Sequence, residues 1–242
     1  MKKNLYTHNI NQIEYFEKNI KKTMLPTYSH YVNRQIDKMI KVGRLEQKEE
    51  ILEMGCGMGR YTLPLLERHF NLSGLDISRG LLEKLKKFNS REHPLSLYCV
   101  DIIDGSEKIE KRFDSVIGFF TLHHVDNLKS VFRGIYNLLK PEGRIAFLEP
   151  NPCNPLYYIQ IFLTPGMNWS MEKGMLNLRK DNVFNILKET GFVKPSVYRF
   201  GFFPPFIVNT KIGLHLEKHG EELTFLYPFL PFQIFTAEKN EF

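Results

Sequence analysis

Ile51-Leu52-Glu53-Met54-Gly55-Cys56-Gly57-Met58-Gly59-Arg60 is the stretch on which the reading of this chain turns. Ile51 to Met54 has strand character and runs into three alternate glycines. Glycines so spaced allow a tight turn and let a ligand come close to the backbone. A glycine-rich turn is weak evidence by itself. Here the spacing sharpens it. A dinucleotide fingerprint, G-x-G-x-x-G, requires glycine where this chain has Arg60. The phosphate-loop pattern also fails, because no Gly-Lys-Ser/Thr follows.

Outward from this turn, short apolar runs alternate with helical stretches. Tyr61 to His69 reads as a helix, and Leu72 to Leu75 as a second strand ending at Asp76. Ser78 caps a helix through Leu81, Leu82, Leu85 and Phe88. Leu95 to Val100 is a third strand, ending at Asp101, and Phe113 to Phe119 a fourth. Leu128 to Leu139 is a helix that Pro141 and Gly143 terminate. Arg144 to Leu148 is a fifth strand. Upstream, residues 5 to 22 and Tyr28 to Lys41 have helical spacing. Downstream, Asn151 to Asn168 reads as an insertion over the sheet's edge. Lys180 to Glu189 is a helix closed by Gly191. Val193 to Phe203 and Pro231 to Glu238 are two more strands, with a helix from Ile212 to Leu223 between them. Alternation at this spacing predicts parallel β-α-β units in a doubly wound α/β sheet.

In such sheets ligands bind beyond the carboxyl ends of the strands. Glu53, Asp76 and Asp101 all fall there. An anion at Glu53 is a poor neighbour for a pyrophosphate. It is a good neighbour for the amino group and sulfonium of S-adenosylmethionine. Asp76 stands where a carboxylate can accept both ribose hydroxyls, and Asp101 where one can meet an adenine amino group. A single acid at a strand end is more often a helix cap. Three acids after three successive strands, together with the glycines, argue against that reading.

The same residues, with Leu75-Asp76-Ile77-Ser78, Val100-Asp101, Phe113-Asp114-Ser115-Val116, Leu122-His123-His124-Val125 and Leu138-Leu139-Lys140-Pro141-Glu142-Gly143-Arg144, make the chain resemble the class I methyltransferases. More narrowly, it resembles the small-molecule branch that includes the ubiquinone-type O-methyltransferases. Specific motifs cover roughly residues 30 to 150. The resemblance implies a Rossmann-like sheet of seven strands, mostly parallel, with helices on both faces. Its last strand would run antiparallel, and Pro231 to Glu238 is the candidate. It implies that Glu53, Gly55, Cys56, Gly57, Gly59, Asp76, Ile77, Asp101, Ile102 and Phe119 bind S-adenosylmethionine, with Phe120 also lining the cofactor. The expected organisation is one domain over 1–242. It divides into an N-terminal helical cap (1–45), a cofactor-binding core (46–150), and an acceptor lid with the last strands (151–242).

Methyl transfer from a sulfonium is an in-line displacement. The protein supplies alignment and, for a hydroxyl acceptor, a base. His123 and His124 follow the fourth strand, and a histidine is a suitable base near neutral pH. His124 is favoured, because the resemblance implies that the second position of the pair faces the site. Against this, either histidine could simply pack the loop. Glu149 is a third candidate: it could orient a histidine, bind the acceptor, or cap the turn at Pro150. Cys153 invites comparison with cysteine-nucleophile pyrimidine methyltransferases, but no second cysteine or basic extension supports it. Phe202-Phe203-Pro204-Pro205-Phe206 cannot be regular helix and makes a poor central strand. With Tyr157, Tyr158, Phe162 and Trp169 it suggests a lid over a small hydrophobic or aromatic acceptor, a lipid-linked one included. O-methylation is the leading expectation. RNA or protein methylation, and a non-catalytic cofactor-binding module, are the alternatives.

The bulk numbers are compatible with this. The chain has 242 residues, 43% hydrophobic and 25% charged, as expected of one globular domain. Its net charge is +6, but the basic residues are scattered among acids, so a nucleic-acid partner is not expected. Three cysteines, Cys56, Cys99 and Cys153, lack the spacing of a zinc or iron–sulfur site, and no metal centre is expected. Their wide separation fits a reducing cytoplasm. No secretory signal is read at the N-terminus. No apolar run reaches the ~18 residues of a membrane span, although Phe225 to Phe232 leaves peripheral membrane contact open. The oligomeric state is not legible.

Overall fold

The computed structural model describes residues 2–163 and 169–240. Helices α1 (Lys2–Lys18) and α2 (His30–Gly43) come before the first strand. The Ser29 hydroxyl accepts from Val32 N and so caps α2. Val32, Ile36 and Met39, at helical spacing, form the buried face of α2. There follow β1 (Ile51–Met54), α3 (Thr62–Glu67), β2 (Leu72–Asp76), α4 (Arg79–Phe88), β3 (Ser96–Cys99), α5 (Ile102–Gly105), β4 (Phe113–Phe119), α6 (Leu128–Leu138) and β5 (Leu139–Pro150). The remainder is α7 (Pro155–Leu163), α8 (Trp169–Glu172), α9 (Lys180–Glu189), β6 (Phe192–Phe200), α10 (Pro205–Val208), α11 (Lys211–Glu221) and β7 (Phe232–Lys239). Short 3-10 turns fill several connections, among them Leu122–His124.

The seven strands form one sheet in the order β3-β2-β1-β4-β5-β7-β6. β1 lies between β2 and β4, parallel to both, with Met54 beside Leu75 and Gly118. This is the switch point, where chain order reverses. β7 inserts between β5 and β6 and runs antiparallel to each, as the resemblance implied. Period-two alternation divides the core between the two faces. Leu52, Val116, Ile145, Phe147 and Phe235 turn toward α6 and α9. Ile51, Ile117, Ala146, Leu148 and Ile234 turn toward α2, α3 and α4.

Several boundaries differ from the sequence reading. β5 begins at Leu139, directly after α6, and takes in Pro141 and Gly143. These residues do not form a loop after a helix stop. Phe113 pairs with Leu139, and the register then slips before Ser115 meets Arg144. That irregularity lets a proline sit in the strand. β6 ends at Phe200, because Gly201 turns the chain at φ +87°. The segment read as an insertion over the sheet's edge contains the helix α7, with Pro155 as its first residue, where a missing N–H costs nothing. Residues 164 to 168 of that insertion lie outside the described residues.

Gly134 marks a close contact between α6 and α5. A Cβ there would stand 2.4 Å from the Ile102 carbonyl oxygen. In an open helix, Gly→Ala stabilises by about 1 kcal/mol. Here Gly134→Ala is expected to have the opposite sign, a loss of about 1–3 kcal/mol. It would be read as a lower denaturant midpoint at unchanged slope.

Candidate active site

The groove begins at the turn after β1. Gly55 has φ +72°, and a Cβ on it would lie 2.3 Å from Thr121 Oγ1, so neither backbone nor space admits a side chain. Gly57 has φ +50° and nothing within 4 Å of where its Cβ would be, so the turn is open on that side. Gly57 N donates to Asp76 Oδ2 and Ser78 N to Asp76 Oδ1, each at 2.9 Å. Burial pushes the Asp76 carboxyl upward against these backbone donors.

Glu53 is 2% exposed, and its Oε2 makes no hydrogen bond. Burial pushes its carboxyl up to about 7, with the Thr62 hydroxyl opposing and the Asp76 charge adding. An unpartnered buried carboxyl oxygen is costly. Beside an open glycine turn, it is a ready acceptor for a ligand ammonium or other cation. Cys56 is different. Its buried thiol is pushed well above the ordinary range and packs 2.8 Å from where a Gly74 Cβ would sit. It is a packing residue, not a reactive one.

Asp101 Oδ1 accepts from Ile103 N at 2.8 Å, capping α5, and Oδ2 accepts from Asn9 Nδ2 at 2.5 Å. Ile77 is half-buried, whereas the Ile102 side chain belongs to the core beneath α6. α1 reaches the groove at two further points. Glu17 Oε1 accepts from Ser78 Oγ at 2.5 Å and Gly80 N at 3.2 Å. Phe16 meets the His124 ring edge-on, with centroids 4.9 Å apart.

Past β4, Phe119 stacks on Tyr61 at 4.1 Å, and the Tyr61 hydroxyl donates to Gln35 Oε1 at 2.7 Å. Phe120 is left-handed, with φ +53°, and its ring lies edge-on to Phe232 at 5.6 Å. A bulky residue held there is strained, and such strain gathers at functional sites.

Glu149 is fully buried at the end of β5. Its Oε1 accepts from Thr121 N at 2.9 Å and Leu122 N at 2.6 Å. Its Oε2 lies 2.6 Å from His123 Nδ1. Of the three roles open to Glu149, the structure supports orienting a histidine; the turn it caps is the one at Thr121 and Leu122 after β4, not the one at Pro150. The other His123 nitrogen, Nε2, lies 3.6 Å from Glu172 Oε2, and Tyr157 Oη donates to that same oxygen at 3.0 Å. His124 is half-buried beside it, with ring centroids 3.9 Å apart.

A cleft of about 430 Å³ opens at the amino ends of β5 and β6, among Arg44, Arg144, Lys194 and Glu238. Its walls are ion-paired side chains, Arg44 and Lys194 both meeting Glu238. None of the glycines or strand-end acids lies there.

Residues 52–145 match the family model of a methyltransferase domain. Juvenile hormone acid O-methyltransferase of Drosophila melanogaster is 35% identical over 179 residues, covering 64% of this chain and 57% of that protein. Malonyl-[acyl-carrier protein] O-methyltransferase of Priestia megaterium is 32% identical over 130 residues, covering 50% of this chain and 46% of that one. Among solved structures, a SAM-dependent methyltransferase from Archaeoglobus fulgidus superposes with TM-score 0.57 at 17% identity, over 86% of this chain and 94% of that one. Residues 52–145 are thus matched as a methyltransferase domain, on a fold shared with S-adenosylmethionine-dependent methyltransferases. The chain spans about half the length of the curated relatives it matches.

The motif residues of the matched domain lie close together. Glu53, Gly55 and Gly57 lie at the end of β1 and in its turn, which Gly57 N ties to Asp76 at the end of β2, while Asp101 follows β3 and Phe119 ends β4. What the sequence reading missed comes from outside the motifs: Asn9, Phe16 and Glu17 from α1, Gln35 from α2, and Glu172 from α8. Tyr157, read there as part of an acceptor lid, donates to Glu172. Only the helical spacing of residues 5 to 22 and 28 to 41 hinted at the residues of α1 and α2.

Glu53 makes stability depend on pH. Its folded-state pKa, about 7, lies above that of an unfolded glutamate, so between roughly pH 4.5 and 7 the folded state binds more protons. Unfolding free energy from this group is full below the lower value and falls as pH rises through the window, by at most about 3 kcal/mol. Denaturant midpoints of the ligand-free chain and of Glu53→Gln at pH 5 and pH 8 check this. The variant is expected to gain on the parent at pH 8.

Proposed function

We propose that this chain transfers a methyl group from S-adenosylmethionine to an oxygen of a small, hydrophobic or aromatic acceptor. The observation that carries the reading is the unpartnered, buried Glu53 Oε2 beside the open side of Gly57. The residues fit the cofactor. Glu53 would take its ammonium or sulfonium charge, and Asp76 its ribose hydroxyls. Gly55, Gly57 and Gly59 would let it approach the backbone, with Ile77, Asp101 and Phe119 alongside. When bound, S-adenosylmethionine supplies an activated methyl group on a sulfonium.

This chain's own residues do the rest. The Phe120 and Tyr31 rings both lie against Phe232, at 5.6 and 6.0 Å between centroids, and offer an apolar wall. His124 accepts the acceptor proton. His123, fixed by Glu149, positions the loop that carries it. Phe202 N and Phe203 N donate to Glu217, at 3.0 and 2.7 Å, anchoring residues 200–206 as the acceptor cover. Oxygen as the acceptor atom is supported by the relatives. Two of them carry names that specify O-methylation, one of juvenile hormone acid and one of a malonyl-acyl carrier protein.

Calorimetry with S-adenosylmethionine and S-adenosylhomocysteine tests the cofactor half. Asp76→Ala, losing charge-assisted bonds to the ribose, is expected to weaken binding roughly 10- to 100-fold. Unchanged affinity would remove Asp76 from the site. Release of S-adenosylhomocysteine in cell-extract fractions, followed by mass spectrometry of the product, finds the acceptor. His124→Ala is then expected to lower kcat by about 10²–10⁴ while leaving cofactor affinity unchanged. Unaltered turnover would show that no base is needed there.

A further inference from the structure

The pair of histidines has a second property that methyl transfer does not use. Each of His123, His124 and Glu172 offers one ligand atom, and these atoms all lie within 4.8 Å of one another. His123 and Glu172 are both 4% exposed, so this is not a surface coincidence. The separation of His123 Nε2 from Glu172 Oε2 is 3.6 Å. Two donors on one tetrahedral zinc stand roughly 3.3 Å apart, given metal–donor bonds of about 2.0–2.1 Å. The half-buried His124 brings its ligand atom within the same 4.8 Å.

The surroundings match what metal-binding histidines have. A ligating imidazole generally gives its other nitrogen to a carboxylate, which fixes its tautomer and orientation. Glu149 does this to His123 at 2.6 Å and is itself locked by two backbone N–H groups. Tyr157 does the same for Glu172, and burial, with the Glu172 charge adding, pushes that phenol upward, so it remains a donor. The charges also favour a cation. Two buried carboxylates, Glu149 and Glu172, face the imidazoles. The ammonium shown to approach Glu172 is that of Lys21, at 4.0 Å from Oε1. With neutral imidazoles the cluster carries one net negative charge, which a divalent ion reverses.

We propose that His123, His124 and Glu172 bind a divalent transition-metal ion of zinc type. It would have three protein ligands and an open coordination position, with Glu149 and Tyr157 as the outer hydrogen-bonding partners. The cysteine spacing gave no such site, because no cysteine takes part. The proposal does not rest on methyl transfer, since the ion is bound by the chain alone. An ion here takes the lone pair that His124 would use as a base, so metal loading and base action exclude each other.

The test uses the full chain after chelator treatment. Zn2+ is titrated by calorimetry, and Co2+ is followed through its visible d–d absorption, with no cofactor present. One ion per chain is expected, with the intense Co2+ bands of a four- or five-coordinate site. His124→Ala and Glu172→Gln are each expected to weaken binding at least tenfold, and Glu149→Gln, acting through His123, by about 10–100-fold. Circular dichroism confirms that the variants fold. The exposed pair His215 and His219, one helical turn apart on α11 with centroids at 4.4 Å, is the rival donor set. His215→Ala is expected to leave binding unchanged. Failure to bind Zn2+ or Co2+ overturns the proposal, as does binding lost in His215→Ala but kept in His124→Ala and Glu172→Gln. Neither result touches the cofactor reading, which Asp76→Ala tests separately.

Discussion

Every parallel strand that forms the site delivers its last residue to the same edge of the sheet. The polar groups that arrive there must be compensated in a small volume. Glu53, Asp76, Asp101 and Glu149 all end strands or follow them directly. The chain compensates three of the four from its own backbone. Gly57 and Ser78 serve Asp76, Ile103 serves Asp101, and Thr121 and Leu122 serve Glu149. These bonds shape the turns between the strands and the following helices, so the loops are built around the acids. Glu53 alone keeps an unpartnered oxygen. That exception sets apart a carboxylate poised for a ligand from those that hold the fold.

The two ends of the groove differ in kind. At the β1 and β2 side the chain offers backbone, open space and carboxylates, which suit a polar, positively charged ligand. At the β4 and β5 side it offers the aromatic rings of Phe16, Tyr31, Phe120 and Phe232 around a histidine pair. Phe120, held left-handed, stands between the two. α1 spans both ends, since Asn9 and Glu17 touch the first and Phe16 the second. The bonds it makes there are mostly polar ones between side chains, which are modest in net energy.

How far the sequence could be read depended on how local the cause was. The five parallel strands were legible because short apolar runs ended in glycine or acid. Ser78 and Gly191 marked helix ends by residue type alone. Leu139 to Gly143 misled because Pro141 and Gly143 are ordinary stop signals. Their place in β5 depends on pairing with Phe113, which no local pattern reveals. α7 was hidden by its aromatic and proline content. In the site, the strand-end acids were legible because they recur after successive strands. Glu149 could not be assigned one role, because its partners lie 26 to 28 residues earlier in the chain. Asn9, Glu17 and Glu172 look like solvated helix residues, and only tertiary packing gives them partners.

The position of β7 has a consequence for how the chain assembles. Phe232–Lys239 follows the other six strands in the chain, yet it is an interior strand, paired on one side with β5 and on the other with β6. Until it arrives, β5 presents an open edge of unpaired N–H and C=O groups flanked by Phe147 and Leu148. Such an edge is a template for pairing with another chain. Closure of the sheet therefore waits on a contact between distant parts of the chain, which is slow to form and leaves the growing chain prone to aggregation. The parallel half, β1 to β5, can order during synthesis. The antiparallel half closes in one late step, and the Phe232 ring that meets Tyr31 and Phe120 comes with it.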